Sequence, residues 1–150
     1  MLNFKSIKTQ LIIYLLGVAV FLLLKEKDFA FALSFVIAVV GATLADSLII
    51  YLKTRSLRIS DSSIITGMII GYVLSADAGW LKFVMAAGLA ILSKHLVRFR
   101  KKHIFNPAAF GIFLTLILFG AQTQWKGTYL WYVLLPFVPQ PSVSDPQSRR

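Results

Sequence analysis

Asp46 is the residue with the clearest potential for chemistry, because it is the single charged side chain in the apolar stretch 29–52. A carboxylate inside a membrane is costly and commonly binds an ion or passes a proton. Lys53 follows seven positions later, about 10 Å along a helix, so Asp46 would also lie near a membrane surface. We favour ion pairing or solvation at that surface, with ion coupling as the alternative.

The segment Ile-Phe-Asn-Pro-Ala-Ala at 104–109 predicts the start of a helix, since Asn106 is a strong N-cap residue and Pro107 suits the first helical position. Basic residues at 100–102 precede it. Free N–H groups and nearby cations attract an anion such as a phosphate or a reduced flavin. Phe105 could stack on a planar ring. The alternative is an ordinary capped membrane helix beside lysines that bind lipid headgroups.

A second helix start is predicted at Asp61-Ser62-Ser63, where Asp and Ser would supply cap oxygens to free N–H groups. Gly67 and Gly71 form a small-xxx-small pair that allows another helix to approach closely. Thr66 places a hydroxyl one turn inside this helix. We favour a packing motif here, with a binding site as the alternative.

Other catalytic signatures are lacking. The chain has no cysteine, which excludes disulfides, iron–sulfur clusters and thiolate zinc, and no P-loop, GxSxG or HExxH motif occurs. His95 and His103 are the two histidines, and we favour a cationic cluster at a membrane surface over a metal or haem site. The chain alone therefore has no residue set that could accept a hydride or break a bond.

Long apolar stretches separated by short charged segments dominate the chain. Of its 150 residues, 57% are hydrophobic and 15% are charged, too apolar a composition for a soluble interior of this size. The stretches cover residues 9–24, 29–52, 62–76, 80–97, 104–125 and a shorter 129–138. We therefore predict an all-α integral membrane protein with five to six transmembrane helices over residues 1–138, and a disordered polar tail over 139–150.

The basic residues predict which way the helices cross. If the stretches span in turn, nine Lys and Arg residues fall on one side and four on the other. The positive-inside rule then places the N-terminus in the cytoplasm of a multi-pass protein of the inner cell membrane. Tyrosines and tryptophans gather at the opposite surface, at Tyr72, Trp80, Trp125, Tyr129, Trp131 and Tyr132. The net charge of +10 thus reflects topology and contact with membrane lipid, and we expect no binding to nucleic acid.

Five of these features occur together in one known family. They are, in order, Ala-Asp-Ser-Leu at 45–48, Ser-Ile-Ile-Thr-Gly-Met-Ile-Ile at 63–70, Trp80, Lys94 and Phe-Asn-Pro-Ala at 105–108. In this order the chain resembles the first half of the RnfD subunit of Rnf-type electron-transport complexes, and of the related NqrB subunit of the sodium-pumping NADH:quinone oxidoreductase. The resemblance covers about residues 10–120.

The resemblance implies a single five-helix repeat of a family built from two such halves. It also implies a flavin-containing complex that moves electrons while transporting Na⁺ or H⁺, with flavin or iron–sulfur proteins as partner subunits. The residues expected to border the cofactor or quinone pocket are Ser63, Thr66, Gly67, Lys94, Phe105, Asn106 and Pro107. A homodimer would rebuild the two-fold arrangement of halves.

Covalent attachment of the flavin is not expected. The family attaches FMN to a threonine in a Ser/Thr-Gly-Ala-Thr sequence of the second half. Gly41-Ala42-Thr43 is similar to that signature, but Val40 replaces the hydroxyl residue and the segment lies inside an apolar stretch. We therefore expect FMN or riboflavin to bind non-covalently.

These features predict a small membrane subunit of an Rnf/Nqr-like complex that helps to pass electrons through flavin. Two alternatives stay open. One is a half-unit of a channel or transporter for an ion or a small solute that works as a dimer, with Asp46 as the coupling residue. The other is a scaffold whose basic loops bind partner proteins or anionic lipid.

Overall fold

The computed structural model describes residues 7–96, 98–99, 102–103, 106–124 and 126, which are almost entirely helical. The helices are α1 (Ile7–Glu26), α2 (Phe29–Thr54), α3 (Asp61–Val73), α4 (Trp80–Leu96) and α5 (Pro107–Phe119), with a 3₁₀ turn at Ala76–Ala78. A two-residue antiparallel pairing of β1 (Arg98–Phe99) with β2 (Lys102–His103) connects α4 to α5. The sequence had not indicated these strands.

The helices differ in length more than the apolar stretches predicted. Among the described residues, α1 and α2 are both long and apolar enough to cross a membrane. Helices α3 and α5 have 13 residues each, about 20 Å of helix against a bilayer core of about 30 Å. The helices over 62–76 and 104–125 are therefore shorter than the apolar stretches that contain them, and their crossing of the membrane stays a prediction. Helix α3 ends because Leu74 is extended, and α5 ends because Gly120 adopts a left-handed conformation with φ of 55°.

Close contacts between small residues set the direction of α3 against α2. A Cβ atom on Gly67 would lie 2.5 Å from Val39 Cα, and one on Gly71 would lie 3.0 Å from Phe35 Cα. From Gly67 to Gly71 the chain advances along α3, while the facing residue on α2 goes back from Val39 to Phe35. The two helices are therefore antiparallel. The predicted packing role of the Gly67–Gly71 pair is thereby confirmed.

Helices α4 and α5 complete the bundle through the same kind of contact. Helix α4 runs parallel to α2, since Gly41 faces Ala87 and Asp46 is bound by Lys94. Helix α5 is antiparallel to α4, since a Cβ on Gly111 would clash with Ala86 O, and Lys82, earlier in α4, donates to the O of Gly120, after α5. Helices α3 and α5 therefore run in the same direction.

Small side chains fill the interior and large apolar side chains cover the outside. The buried residues shared by α2 and α4 include Ala38, Ala42, Ala86, Ala87 and Ala90. Many leucines, valines and phenylalanines are exposed, for example Leu33, Leu44 and Leu52, each about two-thirds exposed. This distribution is typical of helices that pack closely in lipid, where apolar side chains need no burial in protein.

The ends of α3 and α5 are joined by backbone hydrogen bonds. Ser75 N donates to Gln122 O at 3.0 Å, and Gln124 N donates to Val73 O at 2.8 Å. The chain beyond each short helix is therefore extended, and its backbone groups are partly paired with those of the other.

The connection between α1 and α2 is tied to the chain that follows α5. Lys126 Nζ lies 3.0 Å from Glu26 Oε2 and 3.2 Å from Asp28 Oδ2, and 5.5 Å from the centre of the Phe31 ring. The Phe31 backbone N–H, together with Lys126, lowers the pKa of Asp28 below its ordinary 3.8. Although burial opposes it, hydrogen bonds to Glu26 and Asp28 raise the pKa of Lys126. Asp28 and Lys126 are therefore both charged across neutral pH.

Four predictions from the sequence are not tested by the structure. The stretch 129–138 and the tail 139–150 lie outside the described residues. The domain boundary at residue 138 and the orientation with the N-terminus in the cytoplasm stay predictions.

The Asp28–Lys126 contact predicts a specific loss of stability in acid. Because the pKa of Asp28 is lower in the folded state, its contribution is present above pH 3.8 and is lost as the pH falls below that value. Asp28→Asn keeps an N-cap acceptor for Phe31 but removes the charge. We expect the variant to be less stable than wild type by under about 1 kcal/mol near neutral pH. Thermal unfolding in detergent near pH 7 and pH 3 measures this, and a difference that persists in acid would contradict it.

A buried charge cluster as the candidate functional site

Asp46 is fully buried, and both of its carboxylate oxygens accept hydrogen bonds from α4. Lys94 Nζ lies 2.7 Å from Oδ2, and His95 Nε2 lies 2.7 Å from Oδ1. The side chains of Lys94 and His95 are themselves only 8% and 9% exposed. The parallel arrangement of α2 and α4 brings the three together, because it places the last turn of α4 beside Asp46.

The segment between α2 and α3 closes the cluster on another side. Arg55 ends α2 in a left-handed conformation with φ of 55°, which turns the chain back along the helix. Ser47 Oγ then donates to Arg58 O at 3.3 Å, and Ser60 Oγ lies 3.5 Å from Lys94 Nζ. Since Ser60 is the residue before α3, the N-terminus of α3 lies next to the cluster.

Lys53 extends the cluster to the exposed surface and contacts the second ring nitrogen of His95. Lys53 Nζ lies 3.5 Å from His95 Nδ1, and the Lys53 side chain is exposed. A lysine ammonium has donors but no acceptor, so Nδ1 must accept and Nε2 must carry the hydrogen donated to Asp46. His95 is thus neutral, and the charges of Asp46 and Lys94 balance.

Two predicted residues, Ser63 and Thr66, bond within α3. Ser63 Oγ donates to Ser60 O at 2.7 Å, and Thr66 Oγ1 donates to Ser62 O at 2.8 Å. The helix start predicted at Asp61-Ser62-Ser63 is confirmed, but the prediction that side-chain oxygens of this segment cap the helix was wrong. Helix α3 already begins at Asp61, its N-cap Ser60 makes no side-chain cap bond, and Ser63 donates rather than accepts.

At Gly67 there is no room for a cofactor between α3 and α2, since even an added Cβ would clash with the α2 backbone at Val39 and Ala38. Lys94, another residue predicted to border the cofactor, forms an ion pair with Asp46. Whether these residues border a cofactor elsewhere stays a prediction.

The predicted start of α5 is confirmed. Asn106 Oδ1 accepts from Ala108 N at 3.1 Å, and Pro107 is the first helical residue. Asn106 is exposed. Phe105 and the basic residues at 100–101 lie outside the described residues, so the predicted anion site at this helix end is not tested.

His95 is the member of the cluster whose buried contact was not predicted from the sequence. We expected it in a cationic surface cluster, whereas its ring is bonded to a buried carboxylate. The side chain of His103 is not described. The signal that could have found the contact is the alternation of spans, because it puts Asp46 and the Lys94–His95 pair at the same membrane surface.

Comparisons with known proteins bear on this arrangement of short helices around a buried charge cluster. The family model described as NQR2, RnfD, RnfE matches residues 2–143. The chain belongs to this family. The resemblance to RnfD that the sequence indicated is thereby confirmed, and with it a membrane protein.

One relative is the D subunit of the ion-translocating oxidoreductase complex of Salmonella arizonae. The two are 32% identical over 99 residues, which are 63% of this chain and 28% of that protein. The chain therefore spans little more than a quarter of the relative's length. No solved structure matches the chain.

In this member of the NQR2, RnfD, RnfE family, the Asp46–Lys94 pair should behave as one unit. Removing one partner leaves a buried charge uncompensated, which costs about 3–5 kcal/mol, whereas removing both is far less costly. We expect Asp46→Leu and Lys94→Met each to lower the stability strongly, and the double variant to recover most of the loss. Thermal unfolding of the four proteins in detergent gives the coupling, and additive effects would contradict the pairing.

Proposed function

We propose that the chain is a membrane subunit of an ion-translocating oxidoreductase complex and that Asp46 takes part in its ion coupling. Membership of the family and the name of the Salmonella relative support the first part. The second part rests on one observation, the fully buried carboxylate held between α2 and α4 by Lys94 and His95. Buried charges within membranes are commonly part of ion or proton pathways.

The geometry suits coupling because the same carboxylate holds two helices. The Asp46–Lys94 and Asp46–His95 bonds join α2 to α4, and Ser60 connects Lys94 to the start of α3. Any ion or proton that changes the charge of Asp46 changes the attraction between α2 and α4. Such a change in charge can bias how the helices pack when electrons move through neighbouring subunits.

We expect Asp46→Asn to uncouple ion transport from electron transfer in the assembled complex. The amide cannot carry the negative charge and leaves Lys94 without its counter-charge, so less of the complex should assemble. The fraction that assembles should still pass electrons but should no longer transport ions. Asp77→Asn, which neutralises an exposed acid in the 3₁₀ turn, is the matched control and should leave both activities unchanged. Redox-driven ion uptake into membrane vesicles measures the effect, and normal uptake by Asp46→Asn would contradict the role of Asp46.

We further propose that the chain binds FMN or riboflavin non-covalently, and that it receives electrons from flavin or iron–sulfur partner subunits. The described part of α3 does not fit the isoalloxazine ring, because Gly67 packs on the α2 backbone. The start of α5 fits better, since Asn106 is exposed and a helix N-terminus favours the negative charge of a phosphate or a reduced flavin. A flavin bound there would supply one- and two-electron chemistry, which these side chains lack.

The flavin proposal predicts that the purified chain shows flavin absorbance or gains it when FMN is added. Asn106→Ala should weaken that binding, because it removes the cap that orders the start of α5. Asn106→Ser keeps a capping oxygen and is the matched control. Titration followed by flavin fluorescence checks this, and a colourless protein that is indifferent to FMN would defeat the assignment.

A second candidate is a half-unit of a channel or transporter that works as a dimer. It is favoured by two short helices, α3 and α5, that run in the same direction and continue as extended chain. Interrupted helices of this kind form substrate sites in transporters. Uptake of an ion or small solute by liposomes without a redox donor would support it over the electron-transport role.

A further inference from the structure

A continuous series of hydrogen bonds leads from the buried carboxylate of Asp46 to the protein surface. Asp46 Oδ1 is 2.7 Å from His95 Nε2, and His95 Nδ1 is 3.5 Å from the exposed Lys53 Nζ. The two ring nitrogens of His95 thus face opposite ways. One donates to a fully buried acid, and the other presents a lone pair toward the exposed end of α2.

The donor set around Asp46 suits a proton better than a metal ion. Both carboxylate oxygens already accept N–H bonds, from Lys94 and His95. A cation such as Na⁺ prefers oxygen ligands and would have to displace both nitrogen donors. No group of three or more His, Cys, Asp or Glu side chains that could hold a metal ion occurs in the described ranges. A proton needs no such displacement.

We propose that His95 carries protons between the aqueous side of α2 and the Asp46 carboxylate. This inference rests on the proposed role of Asp46 in ion coupling and names the proton as the ion. As the exposed Lys53 side chain moves aside, His95 Nδ1 takes a proton from a hydronium ion and releases water. The Nε2–H bond breaks, and its proton forms an O–H bond on Asp46 Oδ1.

The step balances in atoms and charge. One proton leaves the solution, Asp46 becomes a neutral carboxylic acid, and His95 stays neutral with its hydrogen now on Nδ1. Lys94 remains an ammonium group but loses its counter-charge, so the net charge of the cluster rises from zero to +1. The charged groups that act on His95 are Asp46 and Lys53 from α2 and Lys94 from its own helix.

Infrared spectroscopy of the full chain in lipid, with labelled aspartate carboxyl groups, tests the proposal. After a rapid drop in pH, a signal of protonated Asp46 should appear in wild type and be missing in Asp46→Asn. His95→Gln keeps an N–H donor for Asp46 but cannot pass a proton. We expect it to slow the appearance of the signal by roughly 100-fold, as for other positioned proton-transfer groups.

Either of two results of the infrared experiment would overturn the proposal. One is an Asp46 that stays ionised at every pH at which the chain is folded, and the other is an equal rate in wild type and His95→Gln. Nitrogen NMR of the His95 ring in wild type is a second test that needs no variant. It should find a neutral ring with hydrogen on Nε2 near neutral pH, and hydrogen on Nδ1 would equally overturn the proposal.

These tests use the chain by itself and are separate from the test of the proposed function. Ion transport that needs Asp46 without proton exchange through His95 would overturn the proton pathway alone. The opposite outcome is that the chain exchanges protons through His95 but the complex with Asp46→Asn still transports ions. That outcome would overturn the role of Asp46 in the complex and leave the proton pathway intact.

Discussion

The ion pair between Asp46 and Lys94 is the interaction on which the rest of the arrangement depends. It joins α2 to α4 at a distance of 2.7 Å with Asp46 fully buried. A buried charge is tolerated in an apolar surrounding only when a partner and further hydrogen bonds compensate it. His95 supplies the further bond to Asp46, and Ser60 lies close to Lys94. The start of α3 and the last turn of α4 are therefore fixed around one carboxylate.

Close packing of the helices is a second constraint, and it makes the Asp46–Lys94 ion pair possible. The long charged side chain of Lys94 reaches Asp46 because α2 and α4 approach through alanines and Gly41. The approach of α3 to α2 depends in the same way on Gly67 and Gly71. Small residues thus bring the backbones together, and the space they leave is filled by the neighbouring helix. This accounts for the motif around Thr66 and Gly67 as a packing surface.

The sequence predicted the local features well and the long-range contacts poorly. Apolar length identified α1 and α2, and the chemistry of Asn and Pro located the start of α5, because these signals lie within a few residues of what they determine. The early end of α5 at Gly120 escaped prediction, since glycine is common inside membrane helices. The partner of Asp46 lies 48 residues away along the chain, and spacing alone does not reveal which helices are neighbours.

The most direct test of this account is the distance between Lys94 Nζ and the Asp46 carboxyl carbon, measured by solid-state NMR on the full chain in lipid bilayers with both groups labelled. The account predicts the strong dipolar coupling of a contact ion pair, in keeping with a nitrogen–oxygen distance of 2.7 Å. No coupling between the two groups in the folded protein would contradict it, because α2 and α4 would then be joined without the charge cluster.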